Sequence, residues 1–479
     1  MRRVLASPAI VFALLCGLFG AVSVYAQPPM VVNDEIAHFS RAYEISRGNF
    51  ASEKLESGNL GGQVPHVFTD MNALTGFYTG QKPDPTVLRE GMDALSGISI
   101  NQQDTVELAY SNASLYSPVT YAPQALAVLA GRALDLTFFS TFYLTRFVVL
   151  LSFMALFLLA IRLTPTKKWA FTAVGLLPMS IQEAASVSSD ALIIGSSALF
   201  LAAYLRVHAK ASFAVRDGGP PVLFPVLLVT AAYVSLAKPT YFPLFLVALL
   251  LPAEAFRSTG QRVRSVLLLT GIPLLLLAAW NIVPILQNNS AAQRLSVGGV
   301  GIHPPELVPG IVSLLNPVYT GEVLFHTYVD RLNYHQDIPD FIVQGFFGSF
   351  TSFYLTTPVW YSLSVALSLL LAFFSVDDAV VRIRRSLRLL ALGALLVSFV
   401  GVTVSMFFIA TTQGADFING VQGRYFLPMV LFLLLFLIGR SPIIRVSSGA
   451  RFRVVLTSLI TFNLLFMQFT LWEWFWFSS

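Results

Sequence analysis

A dense group of chemically useful side chains follows the first apolar stretch of the sequence. Asn33 fits a helix N-cap, and the helix after it would place Asp34, His38 and Arg41 on one face, at positions i, i+4 and i+7. A partly desolvated carboxylate at the water–lipid boundary can accept a proton from a sugar hydroxyl, and an arginine fork can hold two phosphate oxygens. The pattern predicts transfer from a lipid phosphate. A surface helix whose acidic first turn complements its own dipole is the simpler alternative.

Later segments add polar side chains where long apolar stretches begin or end. Strongly polar groups at membrane depth usually face a cavity or pair with each other, which makes them functional candidates. With His38 and Arg41, the predicted substrate-binding residues are Tyr116, Tyr121, Gln124, Gln182, Asp190, Lys238, Tyr241, Arg424 and Tyr425. The alternatives to substrate binding are that the tyrosines are aromatic-belt residues at the membrane interface and that Lys238 extends its ammonium group to the lipid headgroups. Arg146 and Glu183 are two more ionisable groups in apolar surroundings.

The sequence offers little for binding a metal ion or another cofactor. Its six histidines are scattered, and its single cysteine, Cys16, lies in the first apolar stretch, which excludes an intrachain disulfide and a cysteine-based metal site. A divalent cation held by the carboxylates of Asp34 and Glu35 is a weak alternative.

These groups belong to a chain that is too apolar for a water-soluble fold. Of its 479 residues, 55% are hydrophobic and 11% are charged, against about 25% charged in an ordinary soluble domain, and the mean hydropathy is +0.70. The apolar stretches are continuous over helix-spanning lengths, whereas an outer-membrane barrel alternates apolar and polar residues. The pattern predicts an all-α polytopic membrane protein.

About eleven membrane spans are predicted, with ten to thirteen tolerated. They are 8–26, 138–162, 169–183, 190–208, 221–237, 240–256, 266–286, 353–375, 388–411, 424–439 and 454–477. A shorter stretch at 119–134 is expected to lie on or dip into the outer interface. Val24-Tyr25-Ala26 resembles a signal-peptide cleavage site, but the length of the first stretch favours a retained anchor.

The spans divide the chain into five parts. These are a first transmembrane helix (1–26), a first large outer loop with interfacial helices (27–118), a transmembrane bundle (119–286), a second outer loop (287–352) and a C-terminal transmembrane bundle (353–479). With a cytoplasmic N-terminus, the short inner loops collect most of the lysines and arginines, as the positive-inside rule requires. The net charge of +5 is therefore explained by the orientation of the chain in the membrane, and it does not indicate a nucleic-acid partner.

The inner loops are too short for a nucleotide-binding domain. The sequence also has no GxxxxGK[ST] pattern, which excludes an ATP-driven pump. Chemistry is therefore expected at the outer face of the membrane. The spans show no convincing internal repeat, which weakens the case for an inverted-repeat transporter.

Several of these segments together resemble a bacterial family of polytopic proteins, the predicted membrane proteins with domain of unknown function 2142. The matching stretches are Asp34-Glu35-Ile36-Ala37-His38-Phe39 with Arg41-Ala42-Tyr43, Tyr116-Ser117-Pro118 with Tyr121-Ala122-Pro123-Gln124, Pro178 with 182–190, Lys238 with Tyr241, and Gly423-Arg424-Tyr425-Phe426-Leu427-Pro428. The family looks like the GT-C superfamily of membrane glycosyltransferases, which use polyprenyl-phosphate-linked sugars and carry an acidic residue in the first outer loop.

The resemblance implies a GT-C-like bundle in a bacterial cytoplasmic membrane, with its active site facing the periplasm or exterior. In it Asp34 is the general base, with Glu35 beside it as the second catalytic candidate. One stretch departs from the family pattern. A Gly-Trp-Leu-Asp-like sequence is expected between Gly345 and Pro358, and Phe350-Thr351-Ser352-Phe353 stands there instead. The departure puts an acceptor role for this loop in doubt.

The predicted function is inverting transfer of a sugar from a polyprenyl-phosphate donor to an envelope glycan or lipid acceptor. Arg41, Lys238 and Arg424 would stabilise the departing phosphate while Asp34 deprotonates the acceptor hydroxyl. The alternatives are a transporter or flippase of a lipid-linked or anionic solute, and an envelope scaffold with a degenerate site. In the favoured prediction, the segments that carry these residues together line one cavity at the outer leaflet.

Overall fold

The chain is built from helices that follow the predicted apolar stretches. The computed structural model describes residues 7–56, 58–75, 82–215, 221–286, 296–297, 300–301, 305–329, 346–347, 355, 357–376, 381, 383–438 and 446–477. The helices are α1 (Pro8–Ala26), α2 (Glu35–Ser46), α3 (Val67–Leu74), α4 (Pro85–Leu95), α5 (Ser111–Ser114), α6 (Ala122–Ala133), α7 (Phe138–Leu163), α8 (Lys168–Gly175), α9 (Pro178–Ala184), α10 (Asp190–Lys210), α11 (Leu223–Ala237), α12 (Phe242–Phe245), α13 (Thr259–Leu286), α14 (Leu307–Leu315), α15 (Pro317–Tyr328), α16 (Val359–Phe374), α17 (Arg385–Ala410), α18 (Leu427–Val430), α19 (Leu434–Leu437) and α20 (Ala450–Trp476).

Short strands and 3₁₀ turns complete the described structure. The strands are β1 (Glu53–Lys54), β2 (Leu60–Pro65), β3 (Thr105–Ala109), β4 (Ser296–Val297), β5 (Val300–Gly301), β6 (Ser375–Val376) and β7 (Val446–Ser447). The 3₁₀ turns are Pro118–Tyr121, Pro239–Tyr241, Leu246–Leu250, Ala253–Ala255, Gly423–Phe426 and Leu431–Leu433. The all-α membrane class predicted from the sequence is confirmed, since these strands are few and short.

Among the described residues, six helices are long and apolar enough to cross a bilayer. They are α1, α7, α10, α13, α17 and α20. Four shorter apolar helical segments, 223–237, 239–250, 359–374 and 423–437, lie within predicted spans. The predicted span 169–183 is instead two short helices, α8 and α9, because the residue before Pro178 takes an extended conformation and ends the first helix. The number of eleven spans stays a prediction.

The predicted second outer loop contains an apolar helix pair. Helices α14 and α15 together pass the length and composition test for a span, but they meet at an angle of 91°. Leu307, Val308, Val312 and Leu315 on α14 are exposed, as expected for side chains against lipid. The stretch Phe350-Thr351-Ser352-Phe353 lies outside the described residues.

Helix α10 is the central helix of the bundle, and almost all of its residues are buried. It packs against α7, α9 and α11. Its sequence is rich in alanine, glycine and serine, and such small side chains let neighbouring helices approach closely in a membrane. Helix α1 packs on α7 in the same manner, since a Cβ added at Gly20 would come within 2.5 Å of Leu150 Cδ1.

The polar segment after α1 folds into an outer subdomain. Strands β1, β2 and β3 form one antiparallel sheet in that order, with Gly61 opposite Ala109 and Pro65 opposite Thr105. Helix α2 lies between this sheet and α6. Phe39 on α2 is fully buried, with its ring centroid 4.8 Å from that of Phe142 on α7. This aromatic contact fixes the subdomain to the end of the bundle.

Candidate functional site

A cluster of five charged side chains lies at the junction of the outer subdomain and the bundle. Arg424 Nη2 is 2.7 Å from Asp34 Oδ2, and Arg424 Nη1 is 3.0 Å from Glu183 Oε1. Asp190 lies between the two cations, with Oδ1 2.6 Å from Lys238 Nζ and Oδ2 3.8 Å from Arg424 Nε. The sequence separates Asp34 from Arg424 by 390 residues, and the fold joins them directly. We call these five residues the charged cluster.

Each member of the charged cluster lies at a helix end or break. Asp190 begins α10, and Ser188 Oγ accepts a hydrogen bond from its backbone N–H. Lys238 ends α11 just before Pro239, and Arg424 lies in a single 3₁₀ turn that precedes Pro428. Polar and irregular backbone at membrane depth is tolerated where it lines a cavity or is buried in protein. Pro239 and Pro428 thus lie at the breaks that position Lys238 and Arg424.

Asp34 occupies the N-cap of α2, the position expected for Asn33. It has a left-handed backbone, with φ 63° and ψ 7°, and its side chain does not cap the helix. Its Oδ1 instead accepts a hydrogen bond of 3.0 Å from Asn112 Nδ2, while Oδ2 faces Arg424. Asp adopts the left-handed region more readily than most residues, but the conformation is still uncommon. The turn therefore aims the carboxylate into the charged cluster and away from its own helix.

Glu35 does not lie beside Asp34 as the sequence suggested. Its carboxylate is fully buried and forms a bidentate pair with Arg146 of α7, at 2.9 Å from Nε and 2.6 Å from Nη2. It also accepts backbone N–H groups from Met30 and Val187. A carboxylate with four donors has no free face for a substrate or for a cation shared with Asp34. Glu35 is therefore corrected from a catalytic to a structural position.

Arg41 is also corrected, because it is not a member of the charged cluster. Its guanidinium donates to the backbone carbonyls of Asn49 and Phe50 at 3.1 and 2.5 Å. These donors hold the chain that leaves α2, whereas the sequence suggested that they bind a lipid phosphate.

His38 joins an aromatic group that borders the cluster. Its Nδ1 shares a hydrogen bond of 2.6 Å with the Tyr121 hydroxyl, and its ring stacks on Tyr116 at 6.1 Å. Burial lowers the pKa of His38 to about 4, against the opposing effect of Asp34 and Asp190. His38 is therefore neutral near pH 7. The three carboxylates and two cations of the charged cluster then give it a net formal charge of −1.

The remaining predicted residues surround this group. Lys238 Nζ lies over the rings of Tyr425 and Tyr116, at 4.5 and 5.7 Å from their centroids. The Tyr241 hydroxyl donates to the Tyr425 carbonyl at 2.7 Å. Gln124 is buried, and its side-chain amide faces the carbonyls of Val187 and Ser188 in the break before α10. These contacts shape the cluster's walls.

Exposure distinguishes the three carboxylates of the cluster. The Asp34 side chain is 36% exposed, whereas those of Glu183 and Asp190 are 1% and 8% exposed. Arg424 Nε is buried and has no hydrogen-bond partner. Gln182, which precedes Glu183 on α9, is also buried. The cluster therefore has one carboxylate that solvent reaches and unused hydrogen-bonding capacity behind it.

Within the described ranges, no group of three or more His, Cys, Asp or Glu side chains is arranged to hold a metal ion. The cations in the charged cluster already neutralise most of its carboxylate charge. Asn112 also contributes to the site, although it is not among the residues that the sequence predicted. Arg146 was noted as an ionisable group within a span, but nothing in the sequence pointed to Glu35 as its partner.

The comparisons with known proteins agree with the membrane character of this fold. Neither a curated protein nor a solved structure matches the chain. The model of one family, described as predicted membrane protein (DUF2142), matches residues 16–433, which include every member of the charged cluster. The chain therefore belongs to the DUF2142 family of predicted membrane proteins.

Proposed function

We propose that this protein is a membrane glycosyltransferase that moves a sugar from a polyprenyl-phosphate donor to an envelope glycan or lipid acceptor. The reaction takes place at the outer face of a bacterial cytoplasmic membrane, and the N-terminus is cytoplasmic. The proposal is carried by one observation, the contact between the partly exposed Asp34 carboxylate and the Arg424 guanidinium. A proton acceptor and a phosphate-binding group must act within a few ångströms of the same sugar phosphate.

The exposure of the carboxylates supports a different role for each in this proposal. A general base must reach a hydroxyl that arrives from water or from the headgroup region, and Asp34 is the most exposed acid of the charged cluster. Glu183 and Asp190 are buried and hold Arg424 and Lys238 in place. Asp34 therefore takes the proton, and the other two carboxylates orient the cations.

The bond changes of the reaction balance with this one base. The acceptor oxygen forms a bond to the anomeric carbon as the bond from that carbon to the phosphate oxygen breaks. The acceptor proton passes to Asp34, and the polyprenyl phosphate leaves with one more negative charge. Arg424 and Lys238 stabilise that growing charge, and because the leaving group is already an anion, no second acid is required.

Substrate binding must open the Asp34–Arg424 pair. Arg424 Nη2 faces Asp34, which is partly exposed, whereas Nη1 faces the buried Glu183. A partly exposed pair is weaker than a buried one because water screens it. The donor phosphate therefore replaces Asp34 on Arg424, and the displaced carboxylate turns to the acceptor. In this way the donor prepares the base that the second substrate needs.

The decisive experiment uses the purified full-length protein in detergent. It is supplied with polyprenyl phosphates carrying radiolabelled hexose or pentose and with extracted envelope glycan, and release of polyprenyl phosphate is measured. Label transfer that depends on both substrates supports the proposal. Asp34→Asn should lower the rate by about 10²- to 10⁴-fold, as loss of a general base does.

A matched control comes from the same outer subdomain. Asp70 on α3 is an exposed acid that pairs with His66 outside the charged cluster, so Asp70→Asn should leave the rate unchanged. If Asp34→Asn is folded, membrane-inserted and fully active, the assignment is wrong. Lipid-linked sugar that crosses sealed vesicles without any transfer would instead indicate a flippase.

A further inference from the structure

A cavity lies at the opposite end of the bundle from the charged cluster. It has a volume of about 490 Å³, and its lining includes Ile10, Ala13, Leu14, Leu158, Arg162 and Lys168. These residues belong to the first turns of α1, the last turns of α7 and the start of α8. Helix α1 has 19 residues and is therefore about 28 Å long, and its other end reaches the Glu35–Arg146 pair. The groove and the candidate site thus lie near opposite membrane surfaces.

The electrostatics of this groove favour an anion. Arg162 and Lys168 line it, and among the described residues that line it none is acidic. Helices α1 and α8 both begin here, and Thr172 Oγ1 of α8 donates to the Pro8 carbonyl at 3.3 Å, which holds the two helix starts together. Helix N-termini carry partial positive charge, so they add to the field of the two side chains.

The groove also continues into surfaces that suit acyl chains. Leu14 lines it, and Leu18, one helical turn further along α1, lies on the same face; these side chains are 57% and 59% exposed. On α7, Leu158 lines the groove, and Leu151 lies two turns toward the centre of the bundle and is exposed. Two apolar stripes therefore run from the basic groups toward the middle of the membrane.

We propose that this groove binds one anionic phospholipid of the leaflet opposite the candidate site. The lipid phosphate lies between Arg162 and Lys168, and the acyl chains follow the Leu14–Leu18 and Leu158–Leu151 stripes. A basic pocket between transmembrane helices at the cytoplasmic end is a known physical solution for holding anionic headgroups. A free phosphate would use the basic groups but leave the apolar stripes without a role. The site is independent of the reaction proposed at the charged cluster.

The test measures lipid binding by native mass spectrometry of the full-length protein in detergent. Palmitoyl-oleoyl phosphatidylglycerol is compared with the zwitterionic phosphatidylcholine of the same chains. The wild type should retain one phosphatidylglycerol in preference to phosphatidylcholine, and Arg162→Gln/Lys168→Gln should reduce its occupancy at least fivefold. Arg257 and Arg264 are exposed and do not line the groove, so Arg257→Gln/Arg264→Gln is the matched control and should bind as the wild type does.

A steric variant separates the groove from its charges. Ala13→Phe fills the cavity and keeps both basic residues, and it should lower occupancy as much as the charge variant. Ile10→Trp, at an exposed lining position, replaces it if Ala13→Phe does not fold. Unchanged phosphatidylglycerol binding in the charge variant overturns the proposal. So does unchanged binding in a folded steric variant, or displacement of the lipid by 10 mM inorganic phosphate.

Discussion

Arg424 Nη2 donates a hydrogen bond of 2.7 Å to Asp34 Oδ2, although the two residues come from opposite ends of the chain. The same guanidinium is fixed from behind by Glu183 at 3.0 Å. An arginine between an exposed and a buried carboxylate can exchange the exposed partner for a substrate anion and keep its orientation. The pair therefore describes a resting site in which the proposed base occupies the place of the phosphate.

The first prediction follows from this competition. Removing the charge of Asp34 should strengthen the binding of polyprenyl phosphate, because the product no longer displaces a carboxylate from Arg424. We expect Asp34→Asn to bind polyprenyl phosphate roughly 3- to 10-fold more tightly, which corresponds to about 0.7–1.4 kcal/mol. Isothermal titration in detergent measures this affinity without knowledge of the sugar. The same variant should be inactive in transfer, so binding and rate change in opposite directions.

Arg424→Lys provides the companion measurement. A lysine keeps the charge but cannot bridge Glu183 and the phosphate with a planar fork, so polyprenyl phosphate binding should weaken by tenfold or more. Asp70→Asn should leave the affinity as it is in the wild type. If Asp34→Asn binds polyprenyl phosphate less tightly than the wild type, Asp34 does not compete for Arg424 and the displacement mechanism fails.

The second prediction concerns the buried pair of Glu35 and Arg146. Glu35 also accepts the N–H groups of Met30 and Val187, so it joins the turn before Asp34 to α7 and to the break before α10. Removal of one partner leaves the other charge buried and unpaired. We expect Arg146→Met or Glu35→Leu to lower the free energy of unfolding by about 3–5 kcal/mol. The sole cysteine, Cys16, is buried, so its reaction with a thiol-specific dye reports unfolding.

A double-mutant cycle checks that the two residues act as a pair. Combining Arg146→Met with Glu35→Leu should destabilise the protein by clearly less than the sum of the single variants. Arg257→Gln, at an exposed position, serves as the control and should have little effect. Additive losses would show that the contact contributes no coupling energy.

The sequence predicted the fold class and most of the charged cluster, because both depend on strong local signals. Apolar stretches of spanning length identify membrane helices, and ionisable groups at their ends are rare enough to indicate Asp34, Asp190, Lys238 and Arg424. The errors concern partners rather than residues. Whether Glu35 faces Asp34 or Arg146 depends on one turn whose Asp34 adopts a left-handed backbone, and no periodic pattern specifies that turn.

Arg41 shows the same limit of sequence patterns. Helical periodicity places residues on a face only within a helix, and the helix begins at Glu35. The break between α8 and α9 could have been predicted from the sequence, because Pro178 marks it. The antiparallel sheet of the outer subdomain could not have been predicted, because its strands are short, β2 contains two adjacent glycines and its partner β3 is distant in sequence.

The third prediction tests the orientation in the membrane. The predicted inner loops carry most of the lysines and arginines, so the positive-inside rule predicts a cytoplasmic N-terminus with the charged cluster on the other side. Alkaline phosphatase folds only after export, so fusions after Ser117 should be active and fusions after Arg385 inactive. Green fluorescent protein fused at the same positions should give the reverse pattern. Alkaline phosphatase activity after Arg385 would contradict the topology.

The fourth prediction is a loss of stability at mildly acidic pH that depends on His38. Burial lowers the pKa of His38 to about 4, whereas an unfolded histidine titrates near 6.5, so the unfolded state binds the proton first as the pH falls. Stability from this group is complete above pH 6.5, declines between about 6.5 and 4, and is constant below that. The linkage amounts to about 2 kcal/mol between pH 7 and pH 5.

The variant His38→Gln cannot take up that proton. It should therefore flatten the change with pH in the unfolding midpoint that the Cys16 dye reaction reports. His66→Gln is the control. Its hydrogen bond to Asp70 raises the pKa of His66, so its linkage has the opposite sign and its removal should not flatten the decline. An equal decline in wild type and His38→Gln would mean that His38 does not titrate in this way.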